Sequence, residues 1–326
     1  MVLYLAGIIA GFAILVWSAD KFVDGAAATA KHLGMPTLLI GIIIVGFGTS
    51  APEMVVSAIA AMEGNTGLAL GNAIGSNIVN IALILGITAV IAPITVNSKI
   101  VRKEIPILLL IVLFSGYLLF DNTLTFAEGI LLLIGFFALV GWSIYAAIKG
   151  KGDALESDME DELIEHAMSL KVGIIWLIIG LVLLIASSRL LVWGSVGVAT
   201  EFGVSDLIIG LTIVALGTSL PELAASIIAA RKGEHDIAIG NIVGSNMFNI
   251  LAVIGIATVI TPMNNIPLEV LQRDWVVMLA VTIALLVMSY GLRAKNGVIT
   301  RVEGTILVLC YVAYNTYLGM SLTGNL

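Results

Sequence analysis

The chain has 326 residues, of which 60% are hydrophobic and only 11% charged, with a formal net charge of −7. A soluble domain carries about 25% charged residues, so a water-soluble globule is excluded. Apolar runs recur from end to end, which also excludes a soluble domain held by one anchor.

A helix needs about 20 apolar residues to cross roughly 30 Å of hydrocarbon. In chain order, the apolar runs predict spans at 2–30, 36–62, 66–92, 104–120, 125–148, 172–199, 206–230, 236–261, 273–292 and 301–321. The expected fold is therefore all-α, with ten transmembrane helices. The first run has no basic leader and meets Asp20 and Lys21 without a small-residue cleavage site, so it reads as a span and not as a signal peptide. Placing the N-terminus outside puts Lys31, Lys99, Arg102, Lys103, Lys149, Lys151, Lys171, Arg231, Lys232, Arg293, Lys295 and Arg301 in inner loops. By that distribution both termini are expected outside, in a plasma membrane of prokaryotic type. The single cysteine, Cys310, and the histidines His32, His166 and His235 read as packing or solvated residues.

Residues 40–80 align without gaps to 209–249 at an offset of 169, and 21 of the 41 pairs are identical by count. The chain thus reads as a duplication: a first five-helix repeat at 1–150, an acidic linker at 151–170 and a second five-helix repeat at 171–326. Five spans per half is an odd number, so the second half enters the membrane from the opposite side, a recurrent transporter plan. Met62-Glu63 becomes Arg231-Lys232 at the equivalent loop, a charge change that follows the change of side. The linker carries Asp153, Glu156, Asp158, Glu160, Asp161, Glu162 and Glu165. It reads as a solvated connector, and its spacing does not match a calcium loop.

Two acids, Glu53 and Glu222, lie deep within apolar runs. A carboxylate at the bilayer centre costs about 2.5–3.5 kcal/mol on insertion scales, so it must face a cavity, a partner or an ion. The spans around them offer no Lys or Arg at that depth, which leaves a cation from solution as the natural partner. Pro52 and Pro221 each remove a backbone donor. Gly46, Gly48 and Gly217 loosen the same turns, and freed carbonyls are tolerated where they line a cavity. Thr49 and Ser50 precede Glu53 as Thr218 and Ser219 precede Glu222. Asn72, Ser76 and Asn80 form an i, i+4, i+8 stripe, and Asn241, Ser245 and Asn249 repeat it. Asn77 and Asn246 fall off that stripe and read as structural, while Gly71 and Gly75 read as a helix-packing face. The donor set is all oxygen, which suits Ca²⁺ or Na⁺ and not soft metals.

The paired G-T-S-x-P-E and G-N-x-x-G-S-N-x-x-N segments resemble the two alpha-repeats of the sodium/calcium exchanger branch of the cation/calcium exchanger superfamily. The resemblance extends over nearly the whole chain and implies two inverted five-helix halves whose repeats form the ion sites. It implies no enzyme activity and no cofactor, with Ca²⁺ and Na⁺ as transported ions and the bilayer as partner. Carried over by position, it makes Glu53 and Glu222 the shared Ca²⁺ and Na⁺ ligands. Thr49 and Thr218 contribute chiefly through backbone oxygen. Ser50, Ser76, Ser219 and Ser245 help hold Na⁺ with the carbonyls of Gly46 and Ala215, and Asn80 lines the centre. Helices one and six, which carry Asp20, Lys21, Asp24 and Arg189, are implied to slide as gates. Some relatives, including potassium-dependent ones, have Asp where this chain has Asn249, which points to potassium-independent exchange. A Ca²⁺/H⁺ or Na⁺/H⁺ antiporter on the same scaffold is the nearest alternative. A passive cation channel and a serine hydrolase using Ser50 or Ser219 stand further off, the latter for want of a base at membrane depth.

Overall fold

The computed structural model describes residues 2–32, 46–96, 99–149, 168–232, 235–290 and 297–322. The start of the second predicted span, up to residue 45, and the bulk of the acidic linker, 150–167, lie outside the described residues.

The chain is nearly all helical. In order, the helices are α1 Val2–His32, α2 Gly46–Met62, α3 Thr66–Ile91, α4 Lys99–Leu118, α5 Phe126–Lys149, α6 Leu170–Phe202, α7 Asp206–Thr218, α8 Leu220–Lys232, α9 at 235–260, α10 at 270–290 and α11 Arg301–Leu322. Among the described residues six helical runs are long and apolar enough to cross a bilayer: Thr66–Ile91, Lys103–Asp121, Phe126–Ser143, Leu170–Phe202, Ala238–Ile260 and Val270–Ser289. Burial divides them. The runs in α3 and α9 are 78% and 83% buried over their most apolar stretch, whereas those in α5 and α6 are 17% and 22% buried. So α3 and α9 form the centre, and α5 and α6 turn residues such as Phe137, Trp142, Ile178 and Val182 outward. An apolar exterior of this kind fits a hydrocarbon surround.

Two close approaches position the centre. After α2 the chain reverses at Gly64, whose φ of +81° is open to glycine. The Asn65 N–H then donates to the Ala60 carbonyl at 2.8 Å and closes the turn. This lays α3 back along α2. On its other side α3 crosses α7 through small residues, as the sequence led us to expect. A methyl group at Gly71 would meet the Leu207 carbonyl, and one at Gly75 would sit 2.6 Å from the Leu211 carbonyl oxygen. One at Gly210 would sit 2.5 Å from the carbonyl of Leu68. The first repeat is therefore in backbone contact with the second. Outside this core α1 and α6 pack antiparallel, with Gly11 against Leu191, Phe22 against Gly180 and Gly25 against Gly173. Positions 20 and 189 consequently stand at different levels of the pair, and Lys21 bonds Asp24 on its own helix at 3.2 Å.

The all-α expectation needs one correction. Strand β1, Ile94–Val96, pairs antiparallel with β2, Gly297–Ile299, and an isolated antiparallel bridge joins Leu124 to Met263. Pro93 and Pro262 stop the preceding helices, and the extended backbone beyond them satisfies its polar groups across the chain. The two pairings are related by the duplication, since Ile94 pairs with Ile299 as Met263 pairs with Leu124. Each is followed by the same helix start. Glu128 accepts from the Thr125 N–H at 2.7 Å, and Glu303 accepts from the Thr300 N–H at 2.7 Å. The Glu N–H in turn donates to the Thr hydroxyl oxygen at 3.3 Å in both, which completes a capping box.

The crossing predicts that Gly71→Ala destabilises by about 1–3 kcal/mol, the cost of overpacking a close contact. Gly141, with nothing within 4 Å of an added methyl group, should tolerate Ala. Thermal unfolding of the two variants in detergent checks this.

Candidate functional site

The site is built where α2, α3, α7, α8 and α9 meet. Glu53 sits in the middle of α2 and Glu222 in the first turn of α8. Both are completely buried, as are Ser50, Ser76, Asn80, Thr218, Ser219, Ser245 and Asn249. Glu53 is held by a serine of the other repeat and Glu222 by one of its own. The Ser219 hydroxyl donates to Glu53 Oε1 at 3.0 Å, and the Ser245 hydroxyl donates to Glu222 Oε1 at 3.4 Å. Thr218 also lies against the Glu53 carboxyl and Thr49 against that of Glu222. Ser219, which holds Glu53, stands three residues before Glu222, so both acids belong to one cluster.

Around this pair runs a ring of ties that is the same in both repeats. Thr218 donates to Asn72 Oδ1 at 3.2 Å, and Thr49 donates to Asn241 Oδ1 at 3.3 Å. Asn72 Nδ2 in turn donates to the Ser57 hydroxyl at 2.9 Å, and Asn241 Nδ2 to that of Ser226 at 3.5 Å. Asn72 further holds the Glu53 carbonyl at 3.3 Å. Asn72 and Asn241 thus reach the site through the threonines and bind the two repeats together.

Local backbone structure supports the site. The π-helical segment Val79–Leu85 carries Asn80, and Asn249–Ile254 opens on Asn249. Such wide turns displace backbone carbonyls from the regular ladder and recur at functional sites. Between α7 and α8 the helix is interrupted at Ser219, with φ −88° and ψ 9°, two residues before Pro221. The Ala215 carbonyl accepts the Ser219 N–H at 3.2 Å, and the Thr218 hydroxyl oxygen lies 3.3 Å from it. Gly46 opens the described part of α2, which then runs unbroken past Ser50 and Pro52.

What remains unsatisfied is informative. Among the described residues, Glu53 Oε2, Glu222 Oε2, Asn80 Oδ1, Asn249 Oδ1 and the hydroxyls of Ser50 and Ser76 are buried without a hydrogen-bond partner. An unpaired buried polar group costs about 1–3 kcal/mol, and a charged one more. These are oxygens drawn from both repeats, and no group of three or more His, Cys, Asp or Glu occurs among the described residues. Carboxylate, hydroxyl and amide oxygens together suit a hard cation.

Sequence reasoning missed three contributors. Ser57 and Ser226 anchor the ring; their identity in the aligned repeats was the available signal. Asn246, set aside as structural, accepts from Asn80 Nδ2 at 3.0 Å. Its position in the duplicated S-N-x-x-N segment, three residues before Asn249, was the clue.

Comparison with known proteins places this site in context. The family model described as "Sodium/calcium exchanger protein" matches residues 3–145 and 172–320. The putative antiporter CaxA of Alkalimonas amylolytica is 48% identical over 94% of this chain and 96% of its own length. The inner membrane protein YrbG of Escherichia coli is 39% identical over 96% of this chain and 98% of its own length. Among solved structures, the sodium-calcium exchanger NCX_Mj soaked with 10 mM Na⁺ and zero Ca²⁺ superposes with a TM-score of 0.65 at 30% identity, covering 96% of this chain and 97% of that one.

The ring of ties predicts that Thr218→Val, which keeps the shape and strips the hydroxyl, leaves Asn72 Oδ1 without its donor. The expected loss is about 1–3 kcal/mol of stability, read as a lowered unfolding midpoint in detergent. Thr49→Val should do the same through Asn241.

Proposed function

The chain belongs to the sodium/calcium exchanger family, and on that premise we propose that it exchanges Ca²⁺ for Na⁺ across a prokaryotic plasma membrane by alternating access at the Glu53–Glu222 pair. It is a transporter and not an enzyme. The observation that carries the proposal is the pair itself. Two acids, one from each repeat, are fully buried, Glu53 is bonded to the serine three residues before Glu222, and each acid keeps one carboxylate oxygen unpartnered.

The charge arithmetic suggests why transport is coupled. Two ionised carboxylates are neutralised by one Ca²⁺ or by two Na⁺. An empty site with two negative charges is costly to seal from water, so the protein changes sides readily only when loaded. The hydroxyls of Ser50, Ser76, Ser219 and Ser245 and the amides of Asn80 and Asn249 supply further oxygens for either cargo. Calcium takes about six to eight oxygen ligands, more than the two acids alone can give. The two repeats, five spans each and inverted, with 1–150 and 171–326 joined by the acidic linker, furnish the inward- and outward-open states. The distribution of Lys and Arg among the loops supports a topology with both termini outside.

Radiolabelled calcium uptake into Na⁺-loaded proteoliposomes tests this. The parent should accumulate calcium, while Glu53→Gln and Glu222→Gln, each removing half the site's charge, should fall to background. Calcium release without any counter-cation, at the rate seen with Na⁺, would sink the coupling argument. Imposing Na⁺ and pH gradients separately should show uptake following Na⁺; uptake that follows only the pH gradient would assign the chain to the Ca²⁺/H⁺ alternative.

A further inference from the structure

The outer ring of the site is bonded alike in both repeats, but the inner polar groups are not. Three bonds are made: Ser219 to Glu53 at 3.0 Å, Ser245 to Glu222 at 3.4 Å and Asn80 to Asn246 at 3.0 Å. The duplication supplies a counterpart for each: Ser50 to Glu222, Ser76 to Glu53 and Asn249 to Asn77. None of these three is made. The Ser50 and Ser76 hydroxyls, Asn249 Nδ2 and Asn77 Oδ1 are instead buried without partners among the described residues. The open donors and acceptors are the repeat images of the bonds that are closed. The backbone follows the same division, because the helix breaks at Ser219 and runs through at Ser50.

Amide orientation can be read independently of the Asn80–Asn246 bond. Asn246 Nδ2 donates to the Asn77 carbonyl at 3.4 Å, and Asn77 Nδ2 donates to the Ala73 carbonyl at 2.9 Å. Backbone carbonyls only accept, so Asn246 turns Oδ1 toward Asn80 and Asn77 is left with a free Oδ1.

We propose that Asn246 and Asn77 are alternating latches: the Asn80–Asn246 bond holds the conformation described here, and an Asn249–Asn77 bond holds the state that opens to the opposite side of the membrane. Asn246 and Asn77 are positioning residues in this scheme. They carry no charge and act on Asn80 and Asn249, which line the site. Exchanging one latch for the other keeps the number of amide bonds constant, so the two states stay near in energy while remaining distinct. This inference rests on the exchange reading above.

The test is the half-saturating calcium concentration for calcium self-exchange, measured at each face with right-side-out and everted membrane vesicles. A binding-competent state populated at fraction f shows an apparent dissociation constant raised by 1/f. Asn246→Ala removes one latch and should strengthen apparent affinity at one face while weakening it at the other. Asn77→Ala should do the reverse. One net hydrogen bond corresponds to a shift of roughly two- to tenfold, and the double variant should return toward the parent. Should either alanine variant fail to fold, Asn246→Ser and Asn77→Ser, whose hydroxyls are too short to span the gap, are read in the same way. Shifts in the same direction at both faces, or none in either variant, would overturn the latch while leaving exchange intact. A parent protein that shows no calcium exchange would instead overturn the transport reading, and the latch with it.

Discussion

A carboxylate buried as completely as Glu53 and Glu222 is tolerated in ionised form only when something supplies the compensation that water would otherwise give. Here both side chains are excluded from solvent, and each is held at one oxygen by a serine hydroxyl, leaving the other oxygen open. Hydroxyls alone are weak compensation for two like charges in one place. The remaining architecture can be understood from this constraint. Glu53 takes its hydroxyl from the opposite repeat, so the repeats must meet at close range. The crossing of Gly71 and Gly75 against Leu207–Leu211 achieves that, and side chains at those positions would hold the acids apart.

Much of this was legible in the sequence because duplication acts as an internal control. A lone glutamate in an apolar run is ambiguous, but the same glutamate in the same Thr-Ser-x-Pro-Glu setting twice, 169 residues apart, is not. The burial of the acids, their oxygen-bearing neighbours and the small-residue face of α3 followed from the same alignment. The strand pairings did not, since three-residue segments are too short for a period of two to show. Nor did the part played by Asn72 and Asn241. Helical spacing put them on one stripe with Ser76 and Ser245, but spacing says nothing of which partner a side chain takes across an interface. Both are drawn to Ser57, Ser226 and the threonines.

The break at Ser219 was beyond sequence reasoning for a deeper reason. Ser50 and Ser219 sit in nearly the same local sequence, yet one helix continues and the other stops. The two stretches differ at Gly46/Ala215, Phe47/Leu216 and Ala51/Leu220, differences too slight for propensity to tell a broken helix from a continuous one. Tertiary surroundings add to them: Phe12 of α1 fills the space that a side chain at Gly217 would need.

That two like sequences adopt unlike bonding is itself a statement about energy. Local sequence alone does not favour one arrangement strongly enough to impose it on both repeats. The closed and open sets differ by a few hydrogen bonds, each worth about 0.5–1.5 kcal/mol net, so the arrangements lie within a range that a bound cation can tip. A ligand shifts such an equilibrium only by its differential affinity for the two states. On the exchange reading proposed above, cargo that draws the serine hydroxyls and amide oxygens inward would act on the same groups that distinguish them. Binding and conformation would then share one set of atoms, and coupling between them would need no relay through the fold.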